Sequence, residues 1–338
     1  MNKKIFPILL IIGVIVIIAI ISFLIGIKKP AQEISEPVNF IIEPGSGVKH
    51  ISQGLYNVGL IKSKYSFEIY VWLKNWDKKL QAGEYALNKN MSIKRIASLL
   101  AGGEALANEA AITIIEGWGR QEIDKYLAES GIISKDEFLE NTKLITDEEK
   151  VQRSFLADAP ANATLEGYLF PDTYKIFKDA SVQDVINKML NNFDSKLTGE
   201  MREEIQNQGK TIYEVITLAS VIEKEVMEFE DMKMIADIFL KRLEIGQALQ
   251  SDATVNFITK KGVTRPTAED LAIDHPYNTY KYRGLPPGPI ANPGLNAIKA
   301  VIYPTPNKYY YFLTTPEGEV IYSVTYEEHL QNKRKHYP

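Results

Sequence analysis

"TLASVIEKEV", Thr217–Val226, reads as a helix with a carboxylate in an unexpected place. Stepped at about 100° per residue from Ile212, Ile212, Val215, Ile216, Ala219, Ile222 and Val226 gather on one side. Glu223 falls among them, one turn past Ala219. Glu214, Glu225 and Glu228 collect on the opposite side, where the acids of an amphipathic helix belong. Leu218 and Val221 lie near those acids, so the helix is covered on much of its girth. An acid on an apolar face is either paired with a structural partner or kept partly protonated by its site. The wheel leaves two roles open: a paired structural carboxylate, or a general acid whose pKa burial has raised.

The rest of the chain bounds the choice. Its 338 residues suffice for two domains and a tail. Hydrophobic content of 45% and charged content of 24% describe an ordinary globular chain. A net charge of −4 argues against a nucleic-acid partner. The chain has no cysteine, which excludes disulfides and cysteine catalysis. His50, His275, His329 and His336 are scattered, without metal-ligand spacing.

The run Ile5–Ile27, "IFPILLIIGVIVIIAIISFLIGI", carries no charge. It is long enough to cross a hydrocarbon core of about 30 Å at about 1.5 Å per residue. No small-residue cleavage site follows it, so it reads as a retained transmembrane helix, with the bulk of the chain translocated. Lysines on both sides give weak orientation.

Past a polar linker the sequence partly repeats. "IIEPGSGVKHISQGLYNVGLIKS" starts at Ile41 and "IIEGWGRQEIDKYLAESGIIS" at Ile114. Each predicts a strand, a Glu-plus-Gly turn, an amphipathic helix and a glycine before an apolar exit. Ile51, Leu55 and Gly59 match Ile123, Leu127 and Gly131. Such units bind glycans or serve as plain scaffold. "SIKRIASLLAGG" adds a helix, and "GGEALANEA" reads as a domain seam. "TLEGYLFPDTY", Thr164–Tyr174, sets Tyr168, Phe170 and Tyr174 around Glu166 and Asp172, a composition that suits sugars or a core loop. Downstream, "DMKMIADIFLKRLEIG" predicts a helix stopped by Gly246, and "ALQSDATVNF" carries Asp252 into a strand-like segment. Gly284–Gly294, rich in Pro and Gly, predicts a rigid loop suited to a cleft wall. Asn292–Pro293 then predicts a helix start with Asn292 as cap. "KYYYFLTTPEGEVIYS" predicts a hairpin around Gly318.

"LEGYLFPDTY", "ASVIEKE", "LQSDATV", "YNTY" with "GLPPGPIANPG", and "YYFLTTPEGEVIYSVTYEEH" occur in this order. Together they closely resemble the YceG-like endolytic murein transglycosylases, the MltG family of bacteria, over essentially the whole chain. Ala253 departs from the proline expected after the aspartate. The resemblance implies an α+β fold in three parts: a transmembrane anchor and cytoplasmic tip over 1–30, a LysM-like α+β domain over 31–105, and a mixed α/β catalytic domain over 106–338. It implies a single-pass protein of the bacterial inner membrane with its catalytic domain outside the cytoplasm. The implied substrate is peptidoglycan glycan strands, the implied partners are peptidoglycan synthases, and neither metal nor organic cofactor is needed. The family's catalytic acid matches the first glutamate of "IEKE", Glu223, and no second carboxylate is clearly paired with it. Around it, Glu166, Tyr168, Asp252, Tyr277, Asn278 and Tyr280 are candidates to hold sugar hydroxyls and acetamides; each could instead stabilise its loop. Glu225, on a different face, is not expected to be a second catalytic carboxylate. The implied reaction is non-hydrolytic cleavage of the MurNAc-β-1,4-GlcNAc bond with a 1,6-anhydro product. Two other classes stay open: a conventional muramidase, with Asp252 or Glu166 positioning water, and a non-catalytic glycan-binding scaffold.

Overall fold

The computed structural model describes residues 21–32, 35–102, 109–177, 180–262 and 265–337. The chain is mixed α+β and divides into two compact units, Met1–Ala110 and Ala111–Pro338. Most of the apolar run Ile5–Ile27, and most of the "GGEALANEA" seam, lie outside the described residues. Residues 21–28 are helical. Among the described residues no helix is long and apolar enough to cross a membrane.

In the first unit β1 (Pro37–Ile42) leads to α1 (Val48–Asn57), α2 (Lys64–Leu73), β2 (Gly83–Asn88) and α3 (Ile93–Gly102). β1 and β2 pair antiparallel, with Phe40 opposite Tyr85 and Ile42 opposite Gly83. Strand alternation sends Phe40 and Ile42 inward. Helical spacing brings Ile51 and Leu55 of α1, and Phe67, Tyr70 and Val71 of α2, onto the same core. Ser63 caps α2 by accepting from the Ser66 amide at 3.2 Å. Ile27 is buried in this core, and Gln32 donates its amide to Lys89 O at 3.0 Å.

The motif repeats from Glu109, at the start of the second unit. β3 (Glu109–Thr113) is followed by α4 (Arg120–Glu129), which buries Ile123 and Leu127 as α1 buries Ile51 and Leu55. After α5 (Glu137–Asn141) and α6 (Asp147–Gln152), β3 finds its partner in β4 (Thr173–Phe177). Helices α7 (Val182–Lys196), α8 (Gly199–Asn207), α9 (Ile212–Ile222), α10 (Phe229–Glu244), α11 (Asp252–Thr259), α12 (Ala268–Leu271) and α13 (Leu295–Ile302) follow. The expected hairpin, β5 (Tyr311–Thr314) and β6 (Val320–Ser323), turns at Gly318, and α14 (Tyr326–His336) closes the chain.

The central element is α9, the helix of "TLASVIEKEV". A capping box starts it: Thr211 Oγ1 accepts from the Glu214 amide, and the Glu214 carboxylate accepts from the Thr211 amide. Val215 to Ile222 are all buried, so the helix is covered on every side, as expected of one apolar around its whole girth. It packs on α13 and α10. Its buried Ser220 is satisfied twice: the hydroxyl donates to Thr217 O and accepts from the Ile290 amide at 3.0 Å.

Three sequence expectations are corrected. Asp252–Thr259 is a helix, not a strand. Thr254 turns its hydroxyl to Ser251 O at 2.8 Å, and Thr254 and Val255 are buried, so tertiary contact outranks β-branched propensity. The cap of α13 is Gly294, not Asn292, whose side chain is engaged elsewhere. Tyr168 does not line a cleft. It is fully buried, with its ring 5.9 Å from Phe155 and 5.2 Å from Phe193, and the aromatic spacing of "EGYLFP" builds core.

Gly167 locks this loop against α9. Its φ is +90°, and an added Cβ would lie 2.6 Å from Pro289 Cγ and 2.7 Å from Ile216 Cγ2. Gly167→Ala therefore combines backbone strain with overpacking and is expected to cost at least about 2 kcal/mol in urea unfolding. Gly199→Ala, with nothing within 4 Å, should change stability by no more than about 0.5 kcal/mol. Equal effects would contradict the packing described. Among the described residues the buried Tyr168 hydroxyl has no hydrogen-bond partner. Tyr168→Phe should therefore leave stability unchanged or raise it by about 1 kcal/mol, with KM unaltered; a raised KM would place Tyr168 at the substrate after all.

Candidate active site

Glu223 stands at the C-terminal end of α9. There the helix tightens, with Lys224 N donating to Val221 O at 3.1 Å and Glu225 N to Ile222 O at 3.0 Å. Glu223 itself keeps helical dihedrals and donates its amide to Ala219 O at 2.9 Å, so its side chain stays on the face the wheel assigns and is half-buried at the helix end. Its Oε2 accepts from the Gly294 amide at 2.9 Å. Gly294 is the N-cap of α13, so the donor belongs to a helix N-terminus. Burial pushes the Glu223 carboxyl up to about 7 from an ordinary 4.5. The Gly294 hydrogen bond opposes this, the Glu116 carboxylate adds to it and Lys224 opposes it. Desolvation wins, and near neutral pH the group is poised between its two forms.

Glu116 adjoins this pair. A Cβ at Gly294 would fall 2.0 Å from Glu116 Oε1, so a larger residue there would push this exposed carboxylate away from its place beside Glu223. Lys224 reaches back across the same corner, its Nζ donating to Gly117 O at 3.1 Å.

Three loops are joined behind this corner by Asn292. Its Oδ1 accepts from the amides of Gly167 at 2.8 Å and Leu169 at 3.0 Å. Its Nδ2 donates to Trp118 O at 2.9 Å and Glu166 Oε1 at 3.0 Å. Its backbone accepts from Gly117 N and donates to Trp118 O, both at 2.9 Å. The Asn292 side chain thus uses both donors and its acceptor, fully buried. Glu166 also accepts from the Arg120 amide at 3.1 Å. Burial raises Glu166 to about 7, against the lowering influence of the Arg120 amide and guanidinium. It is a structural strut beneath the site, 8% exposed.

The remaining expected residues divide. Tyr277 is half-buried beside the Gly284–Gly294 loop, its ring 4.8 Å from Phe257 and its hydroxyl next to Gly288. Tyr280 donates to Asp252 Oδ1 at 2.6 Å, and both are half-buried. Asn278 is fully buried and stabilises its loop: Nδ2 donates to Leu271 O and Ile273 O, and Oδ1 accepts from the Tyr280 amide. Glu225 is not the solvated acid of the helical wheel, because α9 ends before it. It accepts from the Ser251 hydroxyl, and burial raises it to about 7, with the Asp252 charge adding to the rise. Glu166 and Tyr277 thus share the loops around Glu223, whereas Asp252 and Tyr280 group with Glu225.

Glu116, Asn292 and Gly294 are the functional positions that sequence reading missed. Glu116 has a signal, the Glu-Gly turn shared by both repeat units. Asn292 was read as a helix cap and Gly294 as the end of a rigid loop, and nothing local shows that their partners lie far away in sequence. Among the described residues no group of three or more His, Cys, Asp or Glu is placed to hold a metal ion.

Nearly all of the second unit and most of the first have known relatives. The YceG-like family model matches residues 40–335. A Bacillus subtilis (strain 168) protein named endolytic murein transglycosylase is 35% identical over 330 residues, covering 93% of this chain and 90% of the relative. A Streptococcus pneumoniae serotype 2 protein of the same name is 33% identical over 318 residues, 87% of this chain; the match spans 57% of that relative's length. The crystal structure of a yceG-like protein from Listeria monocytogenes superposes with a TM-score of 0.59 at 32% identity, covering 88% of this chain and 100% of that one. With its motifs in order and its matched span covering both units, the chain belongs to the YceG-like family.

Proposed function

We propose that this chain is an endolytic peptidoglycan lytic transglycosylase, with Glu223 as acid and then base. The observation that carries this is one half-buried glutamate, raised to about 7, between a helix N-terminus and a second carboxylate. The names of the relatives point the same way. Protonated Glu223 gives its proton to the glycosidic oxygen as positive charge develops on the muramoyl anomeric carbon. The carboxylate left behind is stabilised by the Gly294 amide. It takes the proton of the muramoyl C6 hydroxyl as that oxygen bonds to the anomeric carbon. The C–O bond to the leaving sugar breaks, a 1,6-anhydro ring forms, and the acid is regenerated. The nucleophile belongs to the substrate, so effective molarity replaces an activated water.

The wider setting is proposed on the same footing. The run Ile5–Ile27 is a single-pass anchor in the bacterial cell membrane, and both units lie outside the cytoplasm. The strand–helix–helix–strand pattern of the first unit supports reading 31–105 as LysM-like, with 106–338 catalytic. The substrate would be nascent glycan, cut to end elongation beside peptidoglycan synthases. One observation favours a second reading: Glu116 beside Glu223 could hold a water, which would make the enzyme a hydrolytic muramidase. Asp252 and Glu166 are committed to Tyr280 and to Arg120 with Asn292, and do not support it.

Glu223→Gln should lower turnover by at least about 10²-fold with the fold intact, and near-normal activity in the folded variant would rule the assignment out. Glu225→Gln should cost less than about tenfold. The acid must carry its proton, so kcat/KM should be retained below a pH of about 7 and fall as pH rises through it; a profile flat through that region would contradict the role. Digestion of uncrosslinked glycan should shorten long strands early and leave ends one water lighter than reducing ends and inert to borohydride. Reducible muramoyl ends would establish the muramidase reading instead, and release of one disaccharide at a time would overturn the endolytic mode.

A further inference from the structure

Helix α2 carries an apolar face that the fold does not use. Tyr65, Ile69, Trp72 and Leu73 fall at i, i+4, i+7 and i+8. They are 66%, 47%, 70% and 55% exposed. The opposite face, Phe67, Tyr70 and Val71, satisfies the core. Leaving such a contiguous face in water is unfavourable by about 25 cal/mol per Å² of apolar area.

Three observations say what covers it. The face is a convex helix ridge bearing Trp and Tyr, residues that settle at a membrane–water boundary. Its surroundings are basic: between Lys62 and Lys79 there are five lysines against Glu68 and Asp77, in a chain of net charge −4. Lys62, Lys74, Lys78 and Lys79 are exposed there. The same unit is also tied to the end of the apolar run. Ile27, the run's last residue, is buried in the core that α2 helps to build. Ile21, Leu24 and Ile25 just before it stay 48–51% exposed. A bilayer that received the run would begin within a turn or two of the unit's own core.

We propose that the Tyr65–Ile69–Trp72–Leu73 face of α2 lies in the headgroup region of an anionic bilayer and seats the first unit on the membrane that the apolar run enters. The inference rests on the anchor reading of Ile5–Ile27. A glycan contact fits less well, because sugars are held in concave clefts with convergent polar groups, and this ridge is convex.

The chain lacks cysteine, so single-cysteine spin labels are specific. Full-length protein carrying Ile69→Cys, Ile15→Cys or Lys49→Cys would be labelled with a nitroxide and reconstituted into phosphatidylglycerol–phosphatidylcholine vesicles. Relative accessibility to oxygen and to a water-soluble nickel chelate would then be read. The expected result is an Ile69 label shifted toward the oxygen-rich value of the Ile15 label, with the Lys49 label as accessible to nickel as free label in water. The shift at Ile69 should be lost when Trp72→Glu is added or when phosphatidylcholine alone is used. A water-exposed Ile69 label beside a buried Ile15 label would overturn the interfacial seat and leave the anchor standing. A water-exposed Ile15 label would overturn the anchor and this proposal with it. Protection of the Ile69 label only on adding glycan strands would assign the face to glycan instead.

Discussion

The hydrogen bond from the Gly294 amide to the Glu223 carboxylate, 2.9 Å long, joins the ends of the two helices on which the site is built. α9 ends at Ile222 and α13 begins at Leu295. The C-terminus of one helix and the N-terminus of the other meet at a single side chain, and their dipoles act on it in opposite senses. One favours the protonated form and the other the ionised form. A group required to hold a proton and then accept one needs that balance, and burial sets the midpoint near neutrality.

Keeping the carboxylate there demands more backbone than side-chain chemistry. Gly294 admits Glu116, Gly167 lets the 164–172 loop close on Ile216 and Pro289, and Asn292 binds that loop to the 114–120 turn. The proline-rich loop is fastened to α9 at two further points: Tyr213 donates to Pro287 O at 2.8 Å, and Ser220 accepts from Ile290 N. Loop residues of this kind carry function because a rigid scaffold places them. Here the scaffold is a helix buried on all sides.

Much of this was legible in the residues. The wheel around "TLASVIEKEV" singled out Glu223 because three-dimensional burial leaves its mark on local period. The repeat between Ile41 and Ile114 was legible because turn glycines and helix-core positions are local too, and Gly59 and Gly131 both adopt positive φ. What failed was non-local. The wheel placed Glu225 in solvent because it ran the helical period past the point where the helix stops. Asp252 was read as strand because Thr254 and Val255 favour β structure in isolation, while their burial in α11 decided otherwise. Tyr168 and Asn278 have the chemistry of sugar-binding residues and are spent inside the fold. Asn292 looked like a cap, since an asparagine before a proline at a helix start is good local chemistry; its four side-chain hydrogen bonds lie far away in sequence.

The central claim is that Glu223 is protonated in a large share of molecules at neutral pH because its site desolvates it. The most direct measurement is a carboxyl-carbon NMR titration of protein labelled with 13C at the glutamate side-chain carboxyls. Glu223 is assigned by the signal missing from Glu223→Gln, and the buried Glu166 and Glu225 by their own Gln variants. The account predicts a Glu223 midpoint at about 7 that falls when Glu116→Gln removes the neighbouring charge. A midpoint near the ordinary 4.5, unmoved by that substitution, would contradict it.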